Sequence, residues 1–449
     1  MYLTRRGFVK ATFGGMTALV VPSWGRVARA QAGSEKTLVV IFLRGGADGL
    51  NLVAPIEPAG VSQAQRDAYS VTLRPGIGLS VSGTYPSLAL DGYFRLHANM
   101  SRLTAANGLW TQGRLAIVHA VGGTGSYSHF AAQDAMERAV NANPQLYGDG
   151  WLFRTAEQVV QATPEALTGV SLAAATAKAL EGSSADLSLA MSSVAGFNLT
   201  TSTHVGFGTQ RRAVLASLFE RAEHPLLRAA GGSAYSALSV IQQAGVAGIP
   251  PGVVYQNSPL RARLEDAARL VKANIGVRLI TIDHGGWDHH QALPGAIGIR
   301  ATELSNGLSD FYLDLDLAGK GGDVLTLCMT EFGRTAAENL NADPAATRGT
   351  DHGYGTVMFV AGGNVVGGRV LSRAYLGNTA TGEATPSGHW PGLLPAELHQ
   401  SGNQAARDLE VSTDFRDVFA EVLQSFLGLS AGTTQGVLRG YAATPVGLF

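Results

Sequence analysis

The sequence predicts an α/β fold, a mostly parallel central sheet with helices on both faces, and three observations predict it. Short apolar runs rich in β-branched residues recur along the chain, each stopping abruptly at glycine or a polar residue. Amphipathic stretches of helical period lie between several of these runs. The residues just after the runs are Gly, Asp, His, Ser and Glu, and ligands of open parallel sheets bind at the carboxyl ends of the strands. With 45% hydrophobic residues, the 449-residue chain can bury a substantial core, which excludes disorder and coiled coil. Basic residues, 33 against 34 acids, give no excess for nucleic acid.

The first element is an address. Thr4-Arg5-Arg6-Gly7-Phe8-Val9-Lys10 precedes an apolar small-residue stretch over 11–21, then Ala28-Arg29-Ala30-Gln31-Ala32 offers small-x-small cleavage sites. This pattern predicts a twin-arginine signal over 1–32, with the twin-arginine translocase as export partner and a periplasmic or secreted destination. The apolar stretch is shorter than the roughly 20 residues that span a bilayer, so no stable membrane anchor is expected. Cleavage would remove five basic residues and no acid, leaving a mildly acidic mature chain. Folded export also favours a metal or cofactor inserted beforehand.

Residues 37–43, 115–120, 277–282, 324–329 and 356–360 read as buried parallel strands. Residues 261–275 place Leu264, Ala267, Ala268 and Val271 on one helical face, and residues 416–427 do the same with Val418, Phe419, Val422, Leu423 and Phe426. Residues 33–449 read as a single domain, in which 144–251, rich in Ala, Ser, Thr and Gly, forms a helical or irregular insertion. A second loop-rich region over 377–402 carries His389, Trp390 and His399. The lone Cys328 sits inside an apolar run and reads as a core residue, so no internal disulfide forms.

The strand ends carry the chemistry. Glycines flank Asp48 in Arg44-Gly45-Gly46-Ala47-Asp48-Gly49, so the backbone can bend sharply and present a cation ligand or an Asx turn. The second strand leads into Gly122-Gly123-Thr124-Gly125-Ser126-Tyr127-Ser128-His129. There Thr124, Ser126 or Ser128 is a candidate nucleophile and Ser128 an equally good helix cap. Of 11 histidines, three fall in Thr281–His290, beside Asp283 and Asp288; imidazole with carboxylate suits Zn, Mn or Fe. Glu331 and Arg334 follow the fourth strand and could pair with each other or serve a metal and an anion, while His352 sits between an acid and a glycine ahead of the fifth. Asp48, Asp288, His290, Glu331 and His352 thus form a candidate metal-ligand set.

Taken together, the export signal, Phe42-Leu-Arg-Gly-Gly-Ala-Asp-Gly-Leu-Asn51, Ser128-His-Phe130, Gly285-Gly-Trp-Asp-His-His290, Thr330-Glu-Phe-Gly-Arg334 and Thr350-Asp-His-Gly353 resemble a bacterial exported family catalogued as domain of unknown function 1501. That family is similar to the alkaline phosphatase and sulfatase superfamily, which implies an alkaline phosphatase-like sheet with a metal site at the strand ends. The resemblance places Asp48 at the superfamily's first aspartate ligand, Asp288, His290 and His352 at one metal position, and the 125–129 turn at the nucleophile. Phe332 stands where a further ligand histidine is expected, and the sulfatase Cys-x-Pro-x-Arg signature is absent.

Two functions follow as expectations. The first is a periplasmic metal-dependent hydrolase of phosphate or sulfate esters, with Ser128 or a neighbour attacking and Arg334 or His129 orienting an anionic small-molecule or polysaccharide substrate. The second is a non-catalytic exported protein in which the metal stabilises the loops of a binding or envelope-assembly surface.

Overall fold

In the computed structural model, the described residues are 36–159, 167–183, 187–197, 247–340, 343–373, 383–400 and 407–449, with isolated positions between 214 and 244. The signal segment, and parts of the 144–251 and 377–402 regions, lie outside the described residues.

Among the described residues, nine strands form the central sheet: β1 (Thr37–Leu43), β2 (Leu115–Gly122), β3 (Gly169–Ser171), β4 (Ser188–Ala190), β5 (Leu279–His284), β6 (Val324–Met329), β7 (Thr356–Gly362), β8 (Arg369–Leu371) and β9 (Thr413–Asp414). Their order is β8-β2-β7-β6-β1-β5-β3-β4, with β9 also pairing β2. β1 is central, parallel to β5 in the register Leu38–Leu279 and to β6 in the register Thr37–Val324. Its seven residues are all buried because both faces of the sheet are covered. Val39, Ile41 and Leu43 enter one hydrophobic cluster and Leu38, Val40 and Phe42 the other, as the two-residue period of a strand requires. Cys328 is buried in the first of those clusters, and burial pushes its thiol pKa up.

β7 departs from the expectation of a parallel strand. It pairs antiparallel with both β6 and β2. A buried antiparallel strand covered on both faces has the same continuous apolar pattern as a parallel one, so composition cannot separate them. The consequence is functional: the start of β7, with 350–355 before it, lies at the same sheet edge as the ends of its antiparallel neighbours β2 and β6.

The main helices are α1 (His129–Arg138), α2 (Trp151–Val159), α3 (Pro259–Ala273), α4 (Leu293–Leu317), α5 (Phe415–Glu421) and α6 (Ala431–Val437). α3 is capped by Ser258, whose side chain accepts from the Arg261 N–H, and has Pro259 at its first turn. α4 buries Ile297, Ala301, Leu304, Leu308, Phe311 and Leu315, spaced at three and four residues. It packs closely on α3 at Gly307, where a Cβ would stand 2.8 Å from Leu264 Cδ1. Within 144–251, the described residues include α2, the strand β3 and the edge strand β4. Trp390, in the loop-rich region, is fully buried and donates from Nε1 to His119 Nδ1 at 3.0 Å. Among the described residues, no helix is long and apolar enough to cross a membrane.

Candidate metal centre

Five chain segments meet at the carboxyl edge of the sheet: the loops after β1, β2, β5 and β6, and the approach to β7. Glycine makes their closeness possible. Gly45 has φ +126°, and a Cβ there would come within 2.5 Å of the Asp288 backbone nitrogen, so no other residue allows these two loops to touch. A Cβ on Gly353 would stand 2.2 Å from the Arg334 carbonyl carbon.

Arg334 pins the loops together. Its side chain is buried, donating to the carbonyls of Gly46 at 2.7 Å, Gly45 at 2.5 Å and Thr350 at 3.2 Å, and to Asp288 Oδ1 at 2.5 Å. A guanidinium offers five N–H donors in a fixed fork, and here they are spent on protein oxygens. Arg334 therefore aims one carboxylate and holds three loops.

The Asp288 carboxylate, 44% exposed, faces a group of imidazole nitrogens. His290 Nε2 lies 2.9 Å from Oδ1, His352 Nε2 lies 3.5 Å from Oδ1, and His129 Nε2 lies 3.5 Å from Oδ2. The His290 and His352 Nε2 atoms are 3.0 Å apart. Each of the two better-buried rings is oriented through its other nitrogen. His129 Nδ1 is 2.8 Å from Glu331 Oε1, and His352 Nδ1 is 2.7 Å from the Tyr127 carbonyl. A carbonyl only accepts, so His352 carries its proton on Nδ1 and presents a lone pair at Nε2. Asp351 Oδ1 lies 3.6 Å from His290 Nδ1.

Electrostatics favour charge here. The hydrogen bond to Glu331 raises the His129 pKa above its ordinary value, against the effect of burial. Burial pushes the Asp288 carboxyl up, but the Arg334 hydrogen bond and charge outweigh it and hold the group below the usual carboxylate range. Glu331 is likewise held low: burial opposes ionisation, and the hydrogen bonds from His129, Gln133 and the Gly45 N–H overcome it. Burial lowers the His352 pKa, which keeps its ring neutral and able to ligate.

These donors fit a divalent ion. Donor atoms around one ion at ~2.1 Å stand ~3.0–3.4 Å apart, and the Nε2 and Oδ1 separations above lie close to that range. Two groups, His129–Asp288–His352 and His290–Asp351–His352, each offer ligand atoms within 4.8 Å of one another. Among the described residues His129 Nε2 is buried without a hydrogen-bond partner, and in the neutral ring with its proton on Nδ1 toward Glu331 its lone pair is one that a cation would satisfy. An Nδ1 held by a carboxylate or carbonyl while Nε2 points inward is the usual support for a metal-bound histidine.

The sequence-predicted residues divide accordingly. Asp288, His290, His352 and His129 converge, with Glu331 one step behind His129. Asp48 is elsewhere: 1% exposed, it pairs with Arg74 Nη1 at 2.8 Å, accepts from Thr350 Oγ1 at 3.0 Å and caps the turn Gly49–Leu52 through the Asn51 N–H at 3.1 Å. Ser128 is exposed at the N-cap of α1 with no side-chain capping bond, Ser126 Oγ accepts from the Ser128 N–H at 3.1 Å, and Thr124 is buried. Sequence reasoning missed Arg74, Tyr127, Asp351, Asp408 and Arg407. Tyr127 donates from its hydroxyl to buried Asp408 at 2.8 Å, and the partly exposed Arg407 donates to the His352 carbonyl at 2.9 Å. Of these, Asp351 carried a signal in its place beside His352, and Tyr127 in its place within the 125–129 turn.

Phe332 packs against His129 and His352 at ring-centroid distances of 4.9 and 4.7 Å, filling with apolar surface the side of the cluster that a further ligand would need.

Among solved structures, the chain is similar to an alkaline phosphatase from the Antarctic bacterium TAB5, at 10% identity over 74% of this chain and 92% of that one, TM-score 0.26. The Thermus thermophilus alkaline phosphatase matches at 15% identity over 76% and 65%, TM-score 0.27. The PsFucS1 sulfatase from Pseudoalteromonas sp. matches at 12% over 75% and 64%, TM-score 0.29. Scores and identities this low leave the reading of the site to its own geometry. No curated protein matches. Residues 35–384, most of the chain, match the family described as "Protein of unknown function (DUF1501)". The chain belongs to the DUF1501 family.

Proposed function

We propose that this chain is a metal-dependent hydrolase of phosphate or sulfate esters, formed by residues 33–449 as one domain and exported folded through the twin-arginine route. One observation carries the reading: at the sheet edge the Asp288 carboxylate has the Nε2 atoms of His290 and His352 within 3.5 Å of Oδ1 and that of His129 3.5 Å from Oδ2, with two of the three rings oriented from behind. His129, Asp288, His290 and His352 hold the ion, Glu331 orients His129, and Arg334 orients Asp288. A bound Zn, Mn or Fe ion would supply Lewis-acid stabilisation of charge developing on the transferred group. Asp48 serves the frame, since its oxygens are taken by Arg74, Thr350 and the Asn51 N–H.

The protein residues then have separable tasks. Ser128, exposed beside His129, is the candidate hydroxyl for attack. The N-terminal end of α1 and the partly exposed Arg407 add positive potential for the anionic ester. The test is hydrolysis of p-nitrophenyl phosphate and p-nitrophenyl sulfate by wild type, Ser128→Ala and Asp288→Ala. Turnover lost in Asp288→Ala and lowered in Ser128→Ala is expected; turnover intact in Asp288→Ala would remove the hydrolase reading.

A second reading, a structural ion in a non-catalytic binding or envelope-assembly protein, is favoured by one observation. Among the described residues no base is hydrogen-bonded to Ser128 Oγ, although a nucleophilic hydroxyl calls for one. In that case Asp288→Ala lowers the melting temperature and no ester is turned over by any form.

A further inference from the structure

Away from the metal centre, a cleft of about 470 Å³ opens between residues 84–86, the turn at 97–99, Asn257 and the first turns of α4. Small-molecule sites occupy ~300–1,000 Å³, so this cleft has the size of one. Its floor depends on Gly298, where a Cβ would come within 3.1 Å of Asn99 Nδ2.

The lining groups have a defined hydrogen-bonding character. His97 Nδ1 accepts from the Asn99 N–H at 3.1 Å, so the ring proton sits on Nε2, a donor. Burial holds this histidine neutral, with its pKa lowered to about 4. Asn99 Nδ2 is spent on Gly298 O at 3.0 Å and Thr302 Oγ1 at 3.1 Å, leaving Oδ1 as an acceptor. Glu303 uses Oε2 for both His284 Nε2 at 2.9 Å and Arg300 Nη1 at 2.7 Å, leaving Oε1 as an acceptor. Asn257, exposed on the opposite wall, offers both a donor and an acceptor. Tyr85 and the exposed Ile299 supply apolar surface between these groups.

We propose that this cleft is a binding site for an uncharged saccharide ring. Hydroxyl groups donate and accept, so a polyol can satisfy Asn99, Glu303, His97 and Asn257 together, while its C–H face lies on Tyr85. A phosphate or sulfate group, which only accepts, meets the acceptor oxygens of Glu303 and Asn99 unfavourably. The Glu303 charge is already balanced by Arg300, so a cationic ligand gains little. An apolar ligand would leave all four polar groups unpaired. The site stands independently of the metal reading, although Arg300 passes 3.6 Å from where a Gly286 Cβ would be and so joins cleft to metal loop.

Saturation-transfer NMR with cellobiose, chitobiose, maltose and lactose, followed by calorimetric titration of any binder, tests the proposal. At least one disaccharide should bind with millimolar or tighter Kd. Asn257→Ala, at the surface, and Tyr85→Ala, half-buried against the core, should each weaken it at least tenfold with the circular dichroism retained, and Asp288→Ala should leave it unchanged. Absence of binding by all four sugars, binding that survives the Tyr85→Ala/Asn257→Ala double variant, or binding of putrescine in place of sugars would overturn it.

Discussion

Glu331 is the residue whose role the geometry defines most sharply, because it touches a candidate ligand and not the ion's position. With its carboxylate on His129 Nδ1, it fixes the ring and makes Nε2 a stronger donor. Glu331→Gln should therefore weaken metal binding about 10–100-fold with the fold retained, measured by competition with a chelator. Unchanged affinity would remove Glu331 from the site. Asp48 behaves differently. Arg74→Met leaves the Asp48 carboxylate buried without its partner, at a cost of about 3–5 kcal/mol in denaturant unfolding. Sequence could not separate Asp48 from Asp288, since both follow a strand and lie two residues after a glycine pair. What distinguishes them is Arg74, which arrives from a loop 26 residues later with no local pattern to announce it.

Among the elements, the loops matter through their close approach. Gly45→Ala places a Cβ against the Asp288 backbone at a positive φ, so it should cost roughly 1–3 kcal/mol and also reduce metal occupancy by displacing the Asp288 loop. A variant with lowered melting temperature and full metal content would contradict this coupling. The strands were legible because buried strands leave runs that little else produces: 37–43 and 324–329 match their observed bounds. The 25-residue α4 was not, because Pro294, Gly295, Gly298 and Gly307 interrupt its period with residues that ordinarily end helices. β3 and β4, three residues each, are too short to carry a period. The site was legible as a set of strand-end residues, whereas the direction of β7, which brings His352 to the other ligands, depends on long-range pairing.

For the molecule as a whole, stability should depend on pH through buried neutral histidines. His119 Nδ1 accepts from the Ala120 N–H at 2.8 Å and from Trp390 Nε1, which leaves no place for a second proton; burial lowers its pKa to about 4. A depressed native pKa means that the unfolded chain, titrating near ~6.5, takes up the proton first as pH falls. The stabilisation is thus complete above about pH 6.5 and is lost toward pH 4, at up to about 1.4 kcal/mol per pH unit for this residue. Urea unfolding at a series of pH values should show a shallower slope in His119→Gln than in wild type over that window. Equal slopes would sink the assignment. Metal linkage adds a second whole-molecule effect. Removing the ion with a chelator should lower unfolding stability, by ~2.7 kcal/mol if the ion had been present at 100 times its Kd.

The most direct measurement is elemental analysis of the purified protein, counting metal per chain in wild type and in Asp288→Ala. The account predicts a stoichiometric transition metal in wild type that is lost in Asp288→Ala while the circular dichroism is preserved. Metal-free wild type, or an Asp288→Ala protein that keeps its ion, would contradict the metal centre on which the proposed function rests.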